Sequence, residues 1–130
     1  MKKILLSLSL MFFITGFSQI ILADYPDKAI RIIVPYKAGG GTDIIARGFV
    51  GEFSKVAGVD VVITNVNGGA GSKGIIQAMK AKPDGYTLML TGSTDMIGLA
   101  TFRKMPFKSI GSLDPVGGIY TTPTYILAHK

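Results

Sequence analysis

The chain has 130 residues, a formal net charge of +6, one histidine and no cysteine. That length allows one small domain. The lack of cysteine excludes a disulfide framework and, with a single histidine, a zinc site; no Lys/Arg run with interleaved aromatics exists, which removes the case for nucleic acid.

Residues 1–23 read as a secretory signal peptide. Lys2 and Lys3 form a basic start, Ile4 to Ile14 is apolar apart from Ser7 and Ser9, and small residues follow at Gly16, Ser18 and Ala23. Cleavage after Ala23 suits the change of composition at Asp24-Tyr25-Pro26; cleavage after Ser18 is the other arrangement. An uncleaved N-terminal membrane anchor is the competing reading. Lys2 and Lys3 are the only charges in this segment, so twelve basic and eight acidic residues remain after it, a balance of +4. A mild positive balance suits anionic solutes. An exported chain without cysteine must be held by a packed core.

Lys28 to Val34 reads as a strand buried on both faces, because Ile30, Ile32, Ile33 and Val34 are nearly continuous. A glycine triplet, Gly39-Gly40-Gly41, follows. Thr42 is the expected N-cap of a helix, with Asp43 as a favourable charge in its first turn. Ile45, Phe49, Phe53 and Val56 form its expected apolar stripe, and Gly58 its end. Val59 to Thr64 is a second strand. A second glycine loop runs from Asn65 to Ser72, and Ser72 is an N-cap candidate for a short helix from about Lys73 to Ala81 that buries Ile75, Ile76 and Met79. Lys82-Pro83-Asp84-Gly85 is a stop and turn. Tyr86 to Leu90 is a third strand that ends in Thr91-Gly92-Ser93-Thr94, with a helical turn beyond Met96. Thr124 to Ala128 is a weak last strand.

Strands and helices alternate, so the expected fold is α/β with a parallel sheet covered by helices. In such sheets ligands bind outside the carboxyl ends of the strands. All three polar loops follow a strand and so belong at that edge. A strand, a glycine loop and a helix N-terminus together make an anion site, since glycine admits close approach and the first helical turn offers unpaired N–H groups.

Other motifs are weaker. Gly69-Ala70-Gly71-Ser72-Lys73-Gly74 satisfies G-x-G-x-x-G, but Asn65 to Gly68 separate it from the strand, and Asp95 follows the third strand rather than the second. It is no Walker loop, because Ser72 precedes Lys73. No nucleotide or other cofactor is expected. Asp43 and Asp95 both follow strands and read first as helix N-terminal charges, and only second as paired carboxylates. Glu52 falls on a solvated helix face and His129 in the tail.

The blocks Tyr25 to Tyr36, Ala38-Gly39-Gly40-Gly41-Thr42-Asp43, Asn65 with Gly68-Gly69-Ala70-Gly71, Ala81-Lys82-Pro83-Asp84-Gly85-Tyr86-Thr87-Leu88 and Thr91-Gly92-Ser93 resemble, in order and spacing, the tripartite tricarboxylate transporter solute-binding proteins, or Bug receptors. The resemblance implies a periplasmic binding protein fold, type II-like, with two α/β domains closing on a ligand. Residues 24–130 would be the N-terminal part of the first domain, with the second domain absent, so that this is a truncated form. It further implies a small carboxylate ligand, such as a di- or tricarboxylate, a membrane permease as partner, a monomer, a periplasmic location and no catalysis. Carried over by position, Tyr36, Ala38, Gly39, Gly40, Thr42 and Asp43 form one part of the ligand wall. Gly68, Gly69, Ala70, Gly71 and Ser72 form the second part, and Thr91, Gly92, Ser93 and Thr94 the third. Lys37, Thr64 and Val66-Asn67 depart from the family pattern. A non-functional remnant and a small exported hydrolase using Asp43 or Asp95 are the alternative readings; the second lacks a His, Cys or metal set.

Overall fold

The computed structural model describes residues 24–102, 104–105, 113–121, 126 and 128. The expected leader, the Thr124–Ala128 strand and His129 therefore lie wholly or largely outside the described residues.

The β-branched run forms β1, Ile30–Val34, the middle of a three-stranded sheet. β2 is Val61–Asn65 and β3 is Thr87–Met89. The order is β2-β1-β3 and both pairings are parallel, with Ile32 beside Ile63 on one side and Leu88 on the other. Burial on both faces is what a central parallel strand requires. Ile30, Ile32 and Val34 join Ala46 and Val61 in one core cluster. Alternation turns Ile33, also fully buried, to the opposite face.

Three helices follow the three strands: α1 Gly41–Ala57, α2 Ser72–Met79 and α3 Ser93–Phe102. α1 covers the first cluster. Ile75 of α2 with Met96 and Leu99 of α3 form a second cluster, against which Met79 and Met89 pack. The third strand is shorter than Tyr86–Leu90. α3 is a ten-residue helix that begins ahead of Met96, where the sequence suggests only a turn beyond that residue.

The helix starts differ from expectation. Gly40, not Thr42, is the N-cap of α1, and no side chain caps it. Gly71, not Ser72, caps α2. The phase of α1 also differs. Ala46 is buried, and Val50, Phe53 and Ala57 pack on the core, whereas Val56 is 87% exposed. The inward stripe is therefore 43, 46, 50, 53 and 57, and its first member is the buried carboxylate of Asp43. Apolar residues ring this helix, so hydrophobicity alone leaves its rotation open. Glu52 is on the exposed face, paired with Lys55 at 2.7 Å.

At the opposite end of the sheet a strap ties the first residues to the turn before β3. Tyr25 Oη donates to the Gly85 carbonyl at 2.9 Å, Tyr86 Oη donates to Asp27, and the two rings meet edge to face at 5.1 Å. Gly85 has φ +81, and a Cβ there would sit 2.6 Å from Tyr25 Oη. Gly85→Ala should cost about 1–2 kcal/mol from the left-handed backbone alone. A lower urea midpoint at unchanged slope checks this, and an unchanged midpoint contradicts it.

Candidate functional site

All three polar loops leave the carboxyl edge of the sheet, because all three strands run parallel and each is followed by a helix. The first loop brings Gly40 to the N-terminus of α1. Ile44 N–H donates to the Gly40 carbonyl, so the N–H groups of Gly41, Thr42 and Asp43 open the helix without an intrahelical acceptor. The second loop passes Gly68 and a single 3-10 turn, Gly69–Gly71, into α2. The third, from Leu90 to Gly92, opens α3, with Asp95 and Met96 N–H donating to the Gly92 carbonyl. Three helix N-termini thus share one edge, and each contributes a positive dipole end.

Two residues hold the loops together. The first is Asp43, only 1% exposed. Its Oδ2 accepts from Gly39 N–H and from Arg47 Nε, each at 2.8 Å, and Oδ1 accepts from Asn65 Nδ2 at 2.9 Å. Asn65 Nδ2 also donates to the Tyr36 carbonyl at 3.2 Å, and Arg47 reaches back to Asn65 Oδ1. The Arg47 guanidinium, the Gly39 N–H and the Asn65 amide hold the Asp43 carboxyl well below the usual carboxylate range. Asp43 is thus more than a helix-end charge. It fastens the glycine triplet to the end of β2.

The second is Tyr36. Its ring lies against Gly71, where a Cβ would meet ring atoms at 3.3 Å and φ is +95. Only glycine combines that backbone with that approach. The phenol donates to Asp95 Oδ2 at 2.6 Å. Burial, reinforced by the Asp95 hydrogen bond, pushes the Tyr36 hydroxyl up to about 12, so it stays a donor across the physiological range. One side chain therefore touches all three loops. Thr91 Oγ1 lies beside that phenol, buried and without a hydrogen-bond partner among the described residues.

Of the sequence-predicted residues, Tyr36, Gly71 and Thr91 meet at this centre. Asp43 stands beneath it, tied to Gly39. Gly40 and Thr42 flank the start of α1, and Ala38 is exposed on the same loop. Gly68, Gly69, Ala70 and Ser72 line the second turn. Ala70 has φ +55, the one non-glycine positive φ among the described residues. Such strain costs about 1–2 kcal/mol and gathers at ligand loops. Gly92, Ser93 and Thr94 rim α3. Two contributors escape a reading of the sequence, and a third, Asp95, has a partner other than the one it suggests. Arg47 stands four residues after Asp43, a spacing that flags an ion pair. Lys73 lays its side chain over Gly68, where a Cβ would come within 3.3 Å of Nζ. Asp95 is joined to Tyr36 rather than to Asp43.

Chemically the edge offers N–H donors and an ammonium group to an anion. Among the described residues of the edge there is no histidine or cysteine to act as base or nucleophile. Asp43, with three donors on its two oxygens and a depressed pKa, is a poor general base. No group of three metal-ligating side chains occurs among the described residues, and no described helix is long and apolar enough to cross a membrane. A separate cavity of about 600 Å³ lies beside β3, lined by Phe49, Phe53, Leu88 and Val116 among others, with Asp114 the one charged residue among the described lining. Apolar walls and a negative charge make it a poor place for an anion.

Residues 45–130 match the model of the tripartite tricarboxylate transporter family receptor. BugT of Bordetella pertussis is 30% identical over 132 residues, which cover 99% of this chain and 40% of BugT. A solved periplasmic transporter is 41% identical with a TM-score of 0.61, covering 66% of this chain and 29% of that one. MatC from Rhodopseudomonas palustris, solved with bound malate, is 31% identical with a TM-score of 0.58, covering 65% and 29%. The chain spans about 31–40% of the length of the curated relatives it matches first.

Proposed function

The chain belongs to the tripartite tricarboxylate transporter receptor family, the Bug proteins, and on that premise we propose that its carboxyl sheet edge is one wall of a binding cleft for a small carboxylate. The observation that carries this reading is the convergence of three loops and three helix N-termini on Tyr36. Carboxylate oxygens would be held by the N–H groups opening α1 and α2, partly through water, with the third loop completing the contacts. Lys73 adds charge beside the second loop. Asp43 and Asn65 position the wall and do not touch the ligand.

The proposal extends to the setting. Residues 1–23 direct export to the periplasm, residues 24–130 form the first part of domain 1, and a permease takes the ligand onward. A receptor of this kind encloses its ligand between two domains. A single open wall competes poorly with water, so residues 24–130 taken by themselves would bind weakly. The malate held by MatC makes a C4 dicarboxylate a reasonable first probe.

Calorimetry with succinate, malate and citrate, and with glucose as an uncharged control, tests the reading. Dissociation constants near about 1 mM for carboxylates are expected. Equal heats for glucose, or none for every carboxylate, would overturn it.

A further inference from the structure

The wall is polarised. Donors crowd its first two loops: the helix-opening N–H groups of α1 and the Lys73 ammonium near Gly68. Acceptors gather at the third. Asp95 is exposed at the opening turn of α3, and its Oδ2 accepts the one hydrogen bond the Tyr36 phenol can donate, at 2.6 Å. With its one O–H engaged, the phenol oxygen can only accept from a ligand. Asp95 Oδ1 has no donor among the described residues. The Thr91 hydroxyl lies beside them, buried and without a hydrogen-bond partner among the described residues, where a ligand or water could pair with it.

Asp95 is not a passive helix-end charge in this arrangement. The Tyr36 bond holds its carboxylate at the point where all three loops meet. A ligand carboxylate placed there would face a like charge at close range, which disfavours ionisation of both. A ligand hydroxyl or ammonium placed there would gain a charge-assisted hydrogen bond. A molecule that satisfies both ends is anionic toward α1 and α2 and a hydrogen-bond donor toward α3.

We propose that Asp95, oriented by Tyr36, is a specificity-determining residue, selecting carboxylates that also carry a hydroxyl or ammonium group over unsubstituted ones. This deepens the carboxylate-receptor reading and rests on it. Succinate, malate and aspartate differ only at the carbon beside one carboxyl, so they isolate that group.

The test is a titration of the purified chain with each of the three, followed by amide chemical shifts, for the native chain and for Asp95→Asn and Asp95→Ser. The native chain should bind malate and aspartate about tenfold more tightly than succinate, the size of one charge-assisted hydrogen bond. The tighter of the two names the donor. Both variants should bring the three ligands within about twofold of one another, chiefly by improving succinate. Asp95 is exposed, and Ser keeps an oxygen at the helix start, so at least one variant retains the fold. Equal affinities in the native chain overturn the inference alone. So does a preference that survives both substitutions. Saturable binding of none of the three overturns the carboxylate reading itself, and this inference with it.

Discussion

Replacing Gly74 with alanine should destabilise the chain by about 1–3 kcal/mol, the cost of overpacking a tight contact. A Cβ at Gly74 would lie 2.7 Å from both Cα and Cβ of Pro35 and 3.0 Å from the Val66 carbonyl oxygen. Two of those three atoms are backbone, and Pro35 is fully buried at the end of β1. Neither can give way as the tip of a long side chain can. Alanine gains about 1 kcal/mol over glycine in a helix interior, so the overlap must outweigh that gain for the sign to hold. Gly48 and Gly51 provide the internal comparison. Both lie on α1, and a Cβ added at either would meet nothing within 4 Å. Alanine at either should stabilise by about 0.5–1 kcal/mol. Urea denaturation of the three variants measures the contrast. A stabilised Gly74→Ala would mean that α2 does not rest on the end of β1. The same contact explains the third glycine of the G-x-G-x-x-G run without any nucleotide: it lets α2 start against the strand.

Asp43→Asn should lower the melting temperature by several degrees at neutral pH and flatten the acid limb of stability. Oδ2 accepts two donors and Oδ1 a third. An amide must turn an NH2 group toward N–H donors on one side or the other, and leave them buried and unsatisfied. The pH dependence follows from the depressed carboxyl. In the unfolded chain Asp43 titrates near the ordinary value of about 4. Below that pH the unfolded state takes up a proton that the folded state still refuses. The stabilisation is therefore complete above about pH 4 and is lost as pH falls through the lower folded value. The native chain's advantage over Asp43→Asn should be full at pH 6 and shrink steadily below pH 4. An advantage constant from pH 6 to pH 2 would contradict this linkage. Because Asp43 holds Gly39 and Asn65, the variant should also weaken carboxylate binding while Gly85→Ala, at the other end of the sheet, leaves it unchanged.

The parts of this fold that are legible in the sequence are those whose signal is local. Ile30 to Val34 announces a central strand because a run of β-branched residues suits a sheet buried on both faces. The alternation of strands, glycine loops and helices then implies a parallel sheet with its loops at one edge. What escapes is set by tertiary contact. Ile44, Ile45 and Val56 are as apolar as Val50 and Phe53, so the inward face of α1 is set by tertiary contacts, the buried Asp43 among them. Thr42 and Ser72 have the right chemistry for caps, but Gly71 caps α2 because its backbone must meet Tyr36 of the first loop, and Gly40 caps α1 with the Lys37 carbonyl oxygen of its own loop 3.2 Å from where a Cβ would sit. Tyr36 sits at the centre of the candidate site through partners at Asn65, Gly71 and Asp95, none of them close in sequence. The Asp43–Arg47 spacing is visible, yet nothing local says that such a pair is buried on one side and tied to Asn65.

If the three loops form one carboxylate wall, amide chemical shifts of the chain titrated with malate test that most directly. The amides of residues 39–43, 69–72 and 91–95 should move together on a single isotherm, while Tyr25, Asp27, Gly85 and Tyr86 stay still. Shifts confined to the Tyr25–Tyr86 end, or scattered over surface lysines with no common isotherm, would contradict it.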